Sequence, residues 1–259
     1  MEHILDTIVA SKKREVALLR NRGIHLPDLY QEARIDGPRG FRKALLQFEG
    51  VSVIAEVKKA SPSKGVICAN FKPVEIAQNY QENGAQAVSV LTDVGFFQGS
   101  LLYMMQVREA VALPVLRKDF IIDELQIKEA HLHGADAILL IAAILDQNQM
   151  QEYKHQATEL GMDTLVEVHD EKETEKAIEA GSDLIGVNNR NLKDFSMDLE
   201  TTFRLNNMIP DDIPVVSESG LKTEDDFSRL LGAGITAALV GESLMRAGSS
   251  SDLLKLLRR

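Results

Sequence analysis

From residue 50 onward, short runs of apolar and β-branched residues alternate with longer amphipathic stretches. The runs cover 51–57, 87–91, 114–120, 137–141, 164–168, 184–188, 214–219 and 237–240, eight in all. They are too short for helices and nearly continuous in hydrophobicity, the pattern of strands buried on both faces of a parallel sheet. The stretches between them read as helices. Segment 73–84 opens on a proline and closes on a glycine, the asymmetry that helix ends favour. Segment 123–134 opens on an aspartate suited to an N-cap and also closes on glycine, and segments 170–181 and 223–234 repeat the plan.

A longer repeat sits above this alternation. Gly84, Gly134, Gly181 and Gly234 each close a helix and lead into a strand, at intervals of 50, 47 and 53 residues. Each interval spans two strand-helix units, so four such pairs make a (β/α)₈ barrel of the TIM type. A two-domain dinucleotide-binding chain predicts no such spacing, and no Gly-x-Gly-x-x-Gly follows the first run. The expected organisation is one domain, with residues 51–259 as eight βα units and 1–50 as a helical extension capping the barrel. Within that extension Ile4, Leu5, Ile8, Val9, Val16 and Leu19 form a helical stripe over about residues 3–20, and 41–50 reads as a second helix. A structural cap and a cover for a ligand are both open readings of it.

Bulk composition narrows the classes. The chain has 259 residues, 44% hydrophobic and 26% charged, enough to bury a large core without staples. The single cysteine, Cys68, excludes an internal disulfide framework and a cysteine-based zinc cluster. No apolar signal-peptide region opens the chain, and the longest apolar run, 137–145, is far below the roughly 20 residues of a membrane span. A cytoplasmic protein is expected, with no membrane partner. The formal net charge of −10 argues against nucleic acid, although a local cation cluster can still bind a small anion.

In such a barrel the ligand site lies at the carboxyl ends of the strands. Charges on buried strands cost free energy unless paired or put to use, so polar residues there are informative. Glu56 and Lys58 share a face with Ile54, Lys118 shares one with Leu116, and Glu167 shares one with Leu165. Asn188 and Arg190 end the sixth run, Glu218-Ser219-Gly220 the seventh and Gly241-Glu242 the eighth. Any one of these reads equally well as a rim salt bridge of small energetic consequence. As a set, drawn from many strands and aimed at one mouth, they read as acid-base machinery. His169 shares the inward face with Glu167 and reads as a satisfied polar residue.

Glycine at the seventh and eighth run ends would let backbone N–H groups approach a phosphate. The polar loop 59–65, with Lys59, Lys64 and Ser61, could close over a ligand. Asp93 and Asp119 lack further oxygen ligands at metal-site spacing, so no metal is expected.

Residues 54–65, Ile-Ala-Glu-Val-Lys-Lys-Ala-Ser-Pro-Ser-Lys-Gly, resemble the first-strand signature of indole-3-glycerol-phosphate synthases. Similar matches are Leu-Arg-Lys-Asp-Phe-Ile at 116–121, Leu-Val-Glu-Val at 165–168, Ile-Gly-Val-Asn-Asn-Arg at 185–190 and Val-Ser-Glu-Ser-Gly at 216–220. The likeness runs over essentially the whole chain. It implies ring closure of 1-(2-carboxyphenylamino)-1-deoxyribulose 5-phosphate to indole-3-glycerol phosphate, with loss of CO₂ and water, in tryptophan biosynthesis. By the same resemblance Lys118 is the general acid on the ribulose carbonyl, and Glu167 the acid-base partner in dehydration. Lys58 orients the substrate and Glu56 holds the lysines. Arg190 and Asn188 suit the benzoate carboxylate and hydroxyls, and Phe120 the aromatic ring. Ser61, Glu218 and Ser219 would be further substrate contacts, while backbone at Gly220 and Gly241, beside Glu242, would receive the phosphate. Neither step requires a redox cofactor or a metal, so no cofactor is expected.

Two positions depart from the simple picture. Asn191 stands where an aspartate is frequent in that family, and Glu242 puts a carboxylate beside an anion site, so its side chain is expected to point away. Competing readings are a phosphoribosylanthranilate isomerase-like barrel, whose family uses a cysteine at the first strand end, and a catalytically silent ligand-binding barrel. The expected partner is a phosphorylated small molecule, and the expected assembly a monomer or weak homo-oligomer.

Overall fold

Eight parallel strands pair in chain order and the last closes on the first. They are β1 (Ser52–Val57), β2 (Ala87–Leu91), β3 (Val115–Lys118), β4 (Ala137–Ile141), β5 (Asp163–Val168), β6 (Ile185–Asn188), β7 (Val215–Glu218) and β8 (Ala237–Val240). The computed structural model describes residues 4–30, 36–191, 195–246 and 254. All eight expected strands are present, with ends trimmed by up to two residues and β5 one residue longer at its start. Pro114 and Pro214 fall just outside β3 and β7; proline has no N–H to give the ladder.

Alternation along each strand builds two cores. Ile54, Leu116, Leu139, Leu165, Val216 and Leu239 fill the barrel interior. Their neighbours, such as Val53, Val88, Ile138, Val166 and Val187, pack outward on Tyr80, Met104, Ile127 and Met150 of the surrounding helices. The strands look continuously apolar because both faces are dry.

The outer helices are α3 (Pro73–Glu82), α4 (Val94–Phe97), α5 (Leu101–Ala110), α6 (Glu124–Leu132), α7 (Gln147–Glu159), α8 (Glu171–Glu179), α9 (Glu200–Asn206), α10 (Glu224–Gly232) and α11 (Glu242–Arg246). Asp123, Asp146, Asp170 and Thr223 cap α6, α7, α8 and α10 by accepting backbone N–H bonds. The repeated glycines have one cause. Gly84, Gly134, Gly181 and Gly234 take φ of +85°, +80°, +73° and +73°, a left-handed turn that reverses the chain from helix into strand without a Cβ penalty.

The N-terminal extension does not act as one cap. Helix α1 (Ile4–Arg22) and helix α2 (Phe41–Leu46) serve opposite ends of the barrel. Phe41 and Leu45, both 0% exposed, plug the floor among Ala137, Leu184, Val216 and Ala237. Burying each stabilises by about 1.5–3 kcal/mol. Ser52 Oγ donates to the Leu45 carbonyl and Arg42 N donates to Asp163 Oδ2, fixing the plug to the strand starts. At the other end Ile4, Leu5 and Ile8 of α1 form part of the wall of the mouth.

Candidate active site

The carboxyl ends of the strands surround a cavity of about 930 Å³. Parallel pairing sets its polar layer, because Glu56 registers with Ser89, Leu91 with Lys118, Ile141 with Glu167 and Asn188 with Glu218. At its centre, Lys118 Nζ lies 3.1 Å from Glu167 Oε2 and 3.0 Å from Glu218 Oε2. Lys58 Nζ pairs with Glu56 Oε1. The structure thus brings together the four residues expected to carry acid-base chemistry, and adds Glu218 to them as a direct partner of Lys118.

Three buried carboxylates share two ammonium groups, and the charge balance sets their proton affinities. For Glu56, burial raises the affinity, but Lys58 and then Lys118 outweigh it and hold the group below its usual range. Glu167 is likewise held down against burial, by Lys118 and then His169. Glu218 goes the other way. Burial pushes it up to about 7, with Glu167 and Glu56 adding to the rise and Lys118 opposing it. Its Oε1 is buried without a hydrogen-bond partner, which fits a carboxyl that keeps its proton near neutral pH. Lys118 is held charged because Glu218, Glu167 and Glu56 overcome the burial penalty.

Two glycines make room for this cluster. A Cβ on Gly186 of β6 would overlap Glu218 Oε1, and one on Gly241 would overlap Glu56 Oε1. Gly241, expected only as part of a phosphate cradle, therefore also clears space for a carboxylate.

At the turn after β7, Ser219 and Gly220 both take left-handed backbone, φ +68° and +87°, and line the cavity beside Gly241, Glu242 and Ser243. A non-glycine residue in that region is strained, and such strain collects at functional turns. Asn189 holds the turn from below, donating through Nδ2 to Ser217 Oγ and to the carbonyls of Glu218 and Ser219.

Arg190 reaches the cavity from the end of β6, and its backbone N donates to Asn188 Oδ1 at 3.0 Å. Glu242 does not turn away from the mouth. Its Oε2 lies 3.6 Å from Arg190 Nη2, because two opposite charges on facing strand ends pair more favourably than either would alone in a half-buried rim. Asn191 is exposed, with its N–H bonded to Ser196 O, and among the described residues the carboxylate paired with Arg190 is that of Glu242. Phe120 lines the cavity with its ring centroid 6.0 Å from that of Phe97. Ser61 lines it too, from a two-stranded ribbon in which Ala60–Ser61 pairs with Gly65–Val66, so the loop after β1 carries its own hydrogen-bonded turn.

Ile4, Leu5 and Ile8 of α1 line the cavity, which favours the ligand-covering reading of that helix, whereas sequence reading missed Phe97, and Phe195 and Met197 from the segment after β6. It also missed Lys12. This side chain, 2% exposed, lies 2.8 Å from Asp93 Oδ2 and 2.9 Å from Asp119 Oδ1. It fastens α1 to the two turns that carry Phe97 and Phe120. The available signal was a lysine in the buried stripe Ile8–Val16–Leu19.

Across residues 5–257 the chain matches the family model for indole-3-glycerol phosphate synthase. The chain belongs to the indole-3-glycerol phosphate synthase family. Proteins of that name are 65% identical to it in Desulfotalea psychrophila, over 100% of both chains, and 52% identical in Chlorobium phaeovibrioides, over 97% of both. Among solved structures, KGPDC from Streptococcus mutans has a TM-score of 0.62 at 12% identity, covering 81% of this chain and 96% of that one. Thiamine phosphate pyrophosphorylase from Pyrococcus furiosus has a TM-score of 0.59 at 17% identity, covering 80% and 94%. At such identities these two bear on the barrel alone. Among the described residues no helix is long and apolar enough to cross a membrane, and no group of three His, Cys, Asp or Glu side chains could hold a metal ion.

Proposed function

We propose that this mouth performs the family's reaction with Lys118 as the general acid. The carrying observation is the Lys118 ammonium, largely buried at the base of the cavity between the carboxyl groups of Glu167 and Glu218. Condensation of the substrate ring carbon onto a ribulose carbonyl needs a proton donor at the developing alkoxide, and a cation aimed into a low-dielectric pocket stabilises that charge. Lys58, held by Glu56, orients the substrate from just past the end of β1, with β2 between it and the strand of Lys118.

Glu167 acts in the dehydration, protonating the departing hydroxyl. Arg190 and Asn188 take the benzoate carboxylate and substrate hydroxyls, and the Phe97–Phe120 pair receives the aromatic ring. Backbone N–H groups at Gly220 and Gly241 receive the phosphate, with Ser219 and Ser61 as further contacts. Opposite walls carry cations and donors because the substrate is anionic at both ends. With a net charge of −10, the protein acts without nucleic acid; it works in the cytoplasm as a monomer or weak homo-oligomer.

The test is a fluorescence assay for indole-3-glycerol phosphate formed from the carboxyphenylamino-deoxyribulose substrate. Wild type is expected to turn over, and Lys118→Ala to lose about 10²- to 10⁴-fold in kcat. An inactive pure wild type would refute the reaction; an unimpaired variant would remove Lys118 from its role.

A further inference from the structure

The reaction has a proton deficit. The substrate enters with an ionised carboxylate that leaves as neutral CO₂, while the phosphate keeps its charge and water departs neutral. One proton is therefore taken up in each turnover. Glu167, the acid assigned to dehydration, is poorly suited to carry it in, because Lys118 and His169 favour its ionised form.

His169 lies one residue past the end of β5, beside Glu167 and outside the cavity lining. Its Nδ1 is 3.1 Å from Glu173 Oε2, and the same oxygen accepts the His169 backbone N–H at 2.8 Å. Glu173 is itself fixed, since its backbone N donates to the α8 cap Asp170. A carboxylate at Nδ1 commits that nitrogen to carrying hydrogen. The other nitrogen, Nε2, faces Glu167 Oε1 at 3.4 Å, and it is buried with no hydrogen-bond partner. A bare lone pair there would point at a carboxylate oxygen. A proton on Nε2 removes the repulsion and gives Glu167 a second cation beside Lys118.

We infer that His169, oriented by Glu173, is the proton store for Glu167. Between turnovers the imidazolium holds the proton on Nε2 and Glu167 stays ionised. When the hydroxyl departs, the Nε2–H bond breaks and an Oε1–H bond forms. Glu167 passes that proton to the leaving oxygen as the carbon–oxygen bond breaks, water is released, and His169 is left neutral with hydrogen on Nδ1. After product leaves, a proton from the bulk solvent, relayed by water in the open mouth, reaches Glu167, which returns it to Nε2.

The charges around the ring support this cycle. Glu167 from β5, Glu173 from α8 and Glu218 from β7 act on it, and together they raise its proton affinity above the usual histidine range against the opposing effect of burial. His169 touches no part of the cavity, so it is a positioning residue that acts through Glu167.

The inference rests on the acid role of Glu167, and its test separates the two. His169→Gln is expected to lower kcat on the order of tenfold with KM changed less than about twofold, since proton delivery and not binding is lost. Added imidazole is expected to restore part of that kcat. Glu173→Gln is expected to move the alkaline limb of the kcat–pH profile to lower pH, because His169 loses a carboxylate that favours its charged form. In wild-type protein labelled with ¹⁵N-histidine, the NMR titration of His169 should lie above 6.5 and end in the Nδ1–H tautomer. Wild-type kcat and pH profile in His169→Gln, with Glu167→Gln inactive in the same assay, would overturn the store while leaving Glu167 its acid role. So would a His169 titration at or below 6.5, a reading that needs no variant to fold.

Discussion

Gly186→Ala separates stability from catalysis at a single methyl group. Gly186 sits in the middle of β6, paired with Glu167 on one side and Val216 on the other. Its φ lies outside the left-handed range, so alanine meets no backbone strain. Replacing glycine there should by itself stabilise the fold by about 0.4–1 kcal/mol, through the lower entropy of the unfolded chain. The new Cβ, however, would overlap Glu218 Oε1 and lie 3.2 Å from Leu165 Cδ1. Overpacking of this kind costs about 1–3 kcal/mol. The net destabilisation is about 0–2.5 kcal/mol, a fall in Tm of no more than about 10 °C for a domain of this size. Catalysis should suffer far more. Glu218 is 1% exposed, and a carboxyl that yields at Oε1 also shifts the Oε2 that holds Lys118, which displaces the ammonium. A shift of about 1 Å in a reacting group costs about 100-fold, equivalent to about 2.7 kcal/mol of transition-state stabilisation. Differential scanning calorimetry and the indole-3-glycerol phosphate fluorescence assay on the same preparation read both quantities. A variant with wild-type kcat would show that Glu218 need not hold Lys118, and the electrostatic account of the site would fall with it.

Two further outcomes follow from buried charge. Lys12→Met should destabilise the fold by about 3–5 kcal/mol, measured by urea unfolding, because Asp93 and Asp119 are left buried without their ammonium partner. Glu218, raised to about 7 in the folded chain, holds a proton that the unfolded chain releases near pH 4 to 5, so stability should decline as pH rises from about 5 through 7. Glu218→Gln should flatten that slope in urea titrations across the same range, and an unchanged slope would mean another group carries it.

The eight strands and the register of the repeats were readable because burial on both faces and left-handed glycines leave local marks at fixed spacing. Lys58, Lys118 and Glu167 were readable for the same reason, as charges at the ends of otherwise apolar runs. What was not readable came from contacts between distant segments. Lys12 meets Asp93 and Asp119 across more than 80 residues, and only its place in an apolar stripe hinted at burial. Glu242 was expected to avoid an anion site; its attraction to Arg190 depends on the facing geometry of β6 and β8, which no local pattern encodes. His169 read as a satisfied polar residue because its spacing to Glu173 in sequence does not reveal that both its nitrogens face carboxylates.

The split extension also constrains the order in which this molecule can be assembled on the ribosome. Helix α2 is synthesised well before the residues it packs on, since its Phe41 and Leu45 find their berth among Leu184, Val216 and Ala237, far further along the chain. Its Arg42 side chain likewise donates to the carbonyl of Asp183. The floor of the barrel therefore cannot seat until the last strands of the barrel exist, and the apolar face of the plug must wait until they are made. Non-local closure of this kind slows folding and lengthens exposure of sticky surface. A nascent chain halted before β8 would carry every acid-base residue of the mouth and still lack the foundation that holds them in one plane.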